Sequence, residues 1–187
     1  QWMDGQGVGE GPIADARLLS GGTQNILMRF RRGDDAFVLR RPPPVPRANS
    51  NETMRREARV LAALDGTAVP HPRLVAGCGD EDILGVAFYL MEPVEGFNPT
   101  QGLPALHAGD AAVRHRIGLS MVEAIAALGA IDYRAVGLDG FGKPDNYLER
   151  QVGRWKTQLA SYAELAGWPG PSAIPGVDRV ADWLDAH

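Results

Sequence analysis

The chain has 187 residues, with 19 Lys+Arg against 23 Asp+Glu for a formal net charge of -4, and 44% of its residues are apolar. This is the profile of a globular protein able to bury a sizeable core. The acidic balance excludes a general nucleic-acid or membrane-surface binder, which needs a basic face, and no apolar run reaches the roughly 20 residues that span a bilayer. A single cysteine, Cys78, excludes an internal disulfide framework and a cysteine-only zinc site, and it points to a reducing, cytoplasmic setting.

Residues 1–13 are glycine-rich and aperiodic, so they are expected to form a flexible lead-in. The first residue is Gln1 rather than Met and no secretory leader is legible, which predicts a piece of a longer protein. Alternating segments at 16–20, 26–31 and 36–40, joined by tight turns, predict an antiparallel meander. Pro42-Pro43-Pro44-Val45-Pro46 must then be an extended connection. A helix over 50–64 follows, with an Asn49/Glu52 capping box, an apolar stripe of Met54, Ala58, Leu61 and Leu64, and Gly66 at its close. Strands over 73–76 and 86–91 flank the turn at 79–82. The order β-β-β-α-β-β makes residues 14–92 a small α+β lobe.

Residues 93–104 read as a linker, after which the pattern turns helical over 105–187. A helix at 110–128 carries Val113, Ile117, Met121, Ala124, Ile125 and Leu128 on one face. A second, at 144–166, opens with Pro144 and repeats Leu148, Val152, Trp155, Leu159 and Tyr162. A third, at 176–186, carries Val177, Val180, Ala181 and Leu184. Trp155 and Trp183 are expected to be core or lobe-packing residues.

Three features point to chemistry. Glu57 lies three residues after Met54 and four before Leu61, beside the inward stripe. A carboxylate turned to a core needs a cation. Alternation puts Phe37 and Leu39 on one strand face, and Val38 and Arg40 on the other, so Arg40 is a candidate partner. The other reading is a solvated Glu57 at the stripe's edge. Ser20, Gly21, Gly22, Thr23, Gln24 and Asn25 form a turn whose backbone N–H groups can close over a phosphate, although a hairpin turn has the same composition. The apolar run 86–91 leads straight into Glu92-Pro93-Val94, where an exposed backbone edge can meet a flat heterocycle or simply end a strand. His71 and His115 have no companions at metal-ligand spacing, and Asp80, Glu81 and Asp82 are too compressed for a calcium loop.

In this order, the passages LLSGGTQN, FVLRRPPP, MRREARVLAAL, VPHPRLVAGCGDED, FYLMEPVEG and GFGKPDNYLERQVGRWKTQ resemble the aminoglycoside phosphotransferase and choline kinase group, in the branch also found fused to acyl-CoA dehydrogenases. The resemblance covers roughly residues 14–187. It implies a protein-kinase-like fold, with a five-stranded antiparallel sheet and one helix before the first helices of a helical lobe. It also implies a small-molecule kinase that uses ATP, or GTP, to phosphorylate a hydroxyl acceptor. Ser20 to Asn25 would cover the nucleotide phosphates, and Arg40 would take the place of the kinase lysine on the α/β-phosphates, held by Glu57. Glu92 C=O and Val94 N–H would meet the adenine edge, with Met91 behind it.

Two parts of the family pattern are missing. The His-Gly-Asp-x-x-x-x-Asn loop and the later metal-binding Asp, which position the acceptor and hold Mg2+, do not occur. Asp110 follows Gly109 but is preceded by Ala108, with His115 where the Asn would stand. Catalytic and metal residues are therefore expected beyond His187, and the 187-residue chain alone is expected to be inactive. A pseudokinase or regulatory nucleotide-binding module, and a non-catalytic interaction domain, stay open as alternatives.

Overall fold

The computed structural model describes residues 1–19 and 25–187. It divides into two compact units, Gln1–Asp139 and Gly140–His187, each described by itself.

The first unit is organised by a five-stranded antiparallel sheet in the order β1-β2-β3-β5-β4, built from β1 (Ile13–Leu18), β2 (Ile26–Arg32), β3 (Asp35–Arg41), β4 (Leu74–Cys78) and β5 (Phe88–Met91). Strict alternation sorts the side chains. Leu39 pairs with Leu90 on one face, while Val38 pairs with Met91 and Arg40 with Tyr89 on the other. The first, outer face buries Phe30, Phe37, Leu39, Cys78, Phe88 and Leu90 in one apolar cluster. The second, inner face receives helix α2 (Ser50–Leu64), whose Met54, Ala58 and Leu61 pack with Ala87, Tyr89, Leu74 and Met91. Asn51 Oδ1 accepts from the Ala87 N–H at 3.0 Å and ties the first turn of α2 to the start of β5.

The expected lead-in is not loose. Helix α1 (Trp2–Gly5) lays Trp2 edge-on against Phe88, with ring centroids 4.8 Å apart, and Val8 is buried in the outer cluster. Arg32, itself only 8% exposed, donates to Val8 O and Gly11 O, both at 2.9 Å, and pairs with Asp4. Of the glycines that suggested disorder, Gly9 serves this close approach, since a Cβ there would stand 3.2 Å from Arg32 Cβ and O; Gly33, just after β2, does the same. Gly33 has φ +62, and a Cβ there would stand 3.0 Å from Glu10 O.

The capping box of α2 also takes another form. Asn49 is the N-cap residue but its side chain caps nothing; Thr53 Oγ1 donates to Asn49 O at 3.0 Å, and Ser50 Oγ accepts from Arg47 N–H at 2.9 Å. After a 3₁₀ turn at Pro99–Gln101 come α3 (Ala105–Gly109) and α4 (Ala111–Gly129). Asp110 Oδ1 caps α4 through the Ala112 and Val113 N–H groups. Arg59 of α2 reaches Gly137 O and Asp139 O at 2.9 and 3.0 Å.

The second unit contains α5 (Gln151–Ser161) and α6 (Val177–Ala186), which bury Val152 and Ala181. The helix expected from Pro144 starts only at Gln151. Asn146 adopts φ 53, and Arg150 donates to Lys143 O and Asn146 O, so 143–150 is held as turns. Trp155 and Trp183 are 64% and 59% exposed, not core residues. No helix among the described residues is long and apolar enough to cross a membrane.

Candidate functional site

The inner face of the sheet carries a polar cluster at the point where β3, β5 and α2 meet. Arg40 Nε lies 2.9 Å from Glu57 Oε2, and Arg40 Nη2 donates to Glu57 Oε1 at 3.2 Å. The Tyr89 hydroxyl donates to Glu57 Oε2 at 3.0 Å. Glu57 thus turns inward and faces both a cation and a phenol, so the solvated reading is set aside. Burial pushes the Tyr89 phenol up, and the Glu57 carboxylate adds to this against the opposing Arg40 charge. Tyr89 therefore stays a donor and shares the Glu57 Oε2 oxygen with Arg40 Nε. Sequence reasoning missed Tyr89. Its signal was the β3–β5 register, which sets it directly across from Arg40.

Next to this cluster, within the first unit, lies a cleft of about 850 Å³. Its floor and walls include Leu19, Leu27, Val38 and Met91, and its rim is the connector Glu92–Phe97. Met91, Glu92 and Val94 thus share one cavity, and Arg40 stands two residues along β3 from Val38 on the same face. Beyond Met91 the chain makes one more ladder-like bond, Glu92 N–H to Arg73 O at 2.9 Å, and Arg73 also pairs with the Glu92 carboxylate. Among the described residues, neither Glu92 C=O nor Val94 N–H is taken by another backbone group, so both remain available to a ligand edge. Of the expected phosphate loop, residues 20–24 lie outside the described residues; Asn25 is half-buried at the entry to β2.

Among the described residues, no three His, Cys, Asp or Glu side chains converge in a way that could hold a metal ion. The cleft's volume falls within the roughly 300–1,000 Å³ typical of small-molecule sites.

The family model of the phosphotransferase enzyme family matches residues 15–187. The chain belongs to this family. A crystal structure from Ralstonia eutropha JMP134, described as an aminoglycoside phosphotransferase, superposes with a TM-score of 0.71 at 33% identity, covering 100% of this chain and 51% of that one. The fold is accordingly protein-kinase-like. Among curated relatives, acyl-CoA dehydrogenase family member 10 of Mus musculus is 32% identical over 166 residues, covering 89% of this chain and 15% of the relative. Probable acyl-CoA dehydrogenase IBR3 of Arabidopsis thaliana is 36% identical over 150 residues, covering 79% and 18%. The chain thus spans less than a fifth of these two relatives and about half of the solved structure. The likeness to acyl-CoA dehydrogenase family proteins, expected from the six passages, is found.

Proposed function

We propose that this chain is the nucleotide-holding part of an ATP-dependent phosphotransferase that acts on a hydroxyl group of a small molecule. The observation that carries the reading is Arg40, fixed by Glu57 and Tyr89 beside a cleft rimmed by open backbone groups. In this reading Arg40 pairs with the α/β-phosphates, its planar fork taking two oxygens where an ammonium would offer a point charge. Glu57 keeps that fork in one orientation, and the loop Ser20 to Asn25 supplies backbone N–H groups to the same phosphates. Glu92 C=O and Val94 N–H receive the purine edge, and Val38 and Met91 exclude water from its faces. ATP supplies the transferable phosphoryl group when bound; GTP is the alternative donor.

The group that positions the acceptor hydroxyl and the Mg2+ ligands are assigned in this reading to residues outside the 187. The absence of a His-Gly-Asp motif from the sequence favours a second reading, a module that binds nucleotide without transferring phosphate. A reducing, cytoplasmic setting accords with the single buried Cys78.

Calorimetric titration with ATP, GTP and adenosine tests the binding, and ADP release with a panel of alcohols tests the chemistry. ATP binding without ADP release from the 187-residue chain is expected. Absence of any nucleotide binding would remove both readings and leave an interaction domain.

A further inference from the structure

The cleft holds a second cationic point that the phosphate reading does not use. On β1, Ala14 faces Arg31 and Arg17 faces Arg29, three steps on one strand against two on the other, so a one-residue bulge lies between them. Asp15 within the bulge adopts φ 53, a left-handed conformation that Asp tolerates better than most residues. Without the bulge Ala16 would face Arg29, and Arg17 would face Met28, whose side chain belongs to the outer cluster. The bulge therefore turns Arg17 to the inner face, where it and Arg29 both line the cleft.

Two arginines directly opposite each other repel. Glu95 relieves one of them, its Oε1 standing 2.6 Å from Arg29 Nη2. The cleft's other acid, Glu92, is engaged by Arg73. Among the described residues Arg17 has no ion-pair partner, so the cleft carries one uncompensated positive charge at this end. Strand spacing puts Arg17 about 12 Å from Arg40, since they are two strands and two residues apart.

We propose that Arg17, together with Arg29, is the specificity-determining element of this cleft and receives a phosphate ester at the end of the ligand remote from Arg40. The inference rests on the nucleotide reading above. The phosphate ester belongs either to the ribose of the nucleotide or to the acceptor lying beside it. Either source presents the same chemistry to two guanidinium forks. Glu95 competes with it for Arg29, so removing that carboxylate should strengthen binding while removing Arg17 weakens it.

The test is calorimetry on the 187-residue chain and its Arg17→Ala and Glu95→Gln variants. The nucleotide arm compares AMP with adenosine 2′,5′-bisphosphate and 3′,5′-bisphosphate. The acceptor arm compares glycerol with glycerol 3-phosphate on the chain saturated with adenosine 5′-(β,γ-imido)triphosphate. In one arm the extra phosphate should tighten binding roughly tenfold, the scale of one hydrogen bond to a charged group. That gain should vanish in Arg17→Ala and grow in Glu95→Gln, while AMP affinity stays within about twofold. AMP binding with no Arg17-dependent gain in either arm overturns this inference and leaves the nucleotide reading intact. No AMP or triphosphate binding at all overturns both.

Discussion

The outer and inner faces of the sheet share the same five strands, yet one is sealed and the other is open to chemistry. On the outer face Phe30, Phe37, Phe88 and Leu90 are buried with Val8 against Trp2, and the buried charged group there, Arg32, has its hydrogen bonds met by Val8, Gly11 and Asp4. On the inner face Arg40 and Glu57 remain half-buried and Tyr89 is buried behind them, with the cleft beside them. A single-residue alternation separates the two environments. Leu39 packs into the sealed cluster and Arg40 meets Glu57 on the open side because adjacent side chains on a strand point to opposite sides. The comparison teaches that charge is tolerated in this sheet under two conditions: complete satisfaction on the sealed side, and mutual orientation on the open side.

The largest expected effect strikes the sealed face. Phe88→Ala should cost about 3–5 kcal/mol, read from denaturant midpoints, because it removes a buried ring and the partner of Trp2. The remaining folded fraction should bind ATP normally. A matching loss of intrinsic ATP affinity would show that the two faces are not independent.

Next comes Glu57→Ala, which strips the orientation from Arg40. Triphosphate affinity should fall by about 1.5–3 kcal/mol, the scale of hydrogen bonds to a charged group, with adenosine binding unchanged. Arg40→Lys should retain more affinity than Arg40→Ala without restoring the bidentate fork. Equal losses for ATP and adenosine in Glu57→Ala would mean that the lobe has loosened instead.

A smaller effect belongs to Tyr89→Phe, about 0.5–1.5 kcal/mol of stability, measured by thermal or denaturant melts. Its pH signature is more telling. The folded phenol titrates above its ordinary value of 10.0, so its contribution is fully present below that pH and is lost as pH rises from there towards the folded value. Stability profiles of the wild-type chain should fall on this alkaline limb more steeply than those of Tyr89→Phe. Parallel limbs would place the hydroxyl in solvent.

The smallest effect is at the edge of the sealed face. Arg32 holds the Asp4 carboxyl down to about 2 from an ordinary 3.8. The pair's contribution is therefore present above about 3.8 and disappears as pH falls towards about 2. Asp4→Asn should flatten the acid limb across that window in a pH titration of the melting midpoint. An unchanged acid limb would show that α1 is held by Trp2 alone.

How much was legible follows from how local each determinant is. Period-two alternation in Phe37-Val38-Leu39-Arg40, and the spacing of Glu57 from Met54 and Leu61, belong to single elements, so the pair could be nominated before any fold was known. The glycines at 5–11 misled, because composition reports backbone freedom but not that Arg32, more than twenty residues on, collects the carbonyls of Val8 and Gly11. The apolar repeat beginning at Leu148 suggested a longer helix than α5, since periodicity cannot see Arg150 binding the carbonyls of Lys143 and Asn146 to hold a turn.

By itself, the sequence determined the β-β-β-α-β-β order of the lobe, the two faces of β3, the inward carboxylate of α2 and membership of the phosphotransferase enzyme family, all of which are written in short-range patterns or in ordered motifs. Only the tertiary structure decided that Tyr89 completes the Arg40–Glu57 pair, that the lead-in seals the outer face, and that a bulge at Asp15 turns Arg17 into the cleft. Each of these depends on strand register, and a shift of one residue exchanges the two faces of a strand. Register is set by the pairing of distant segments, and that information exists only once the strands have met.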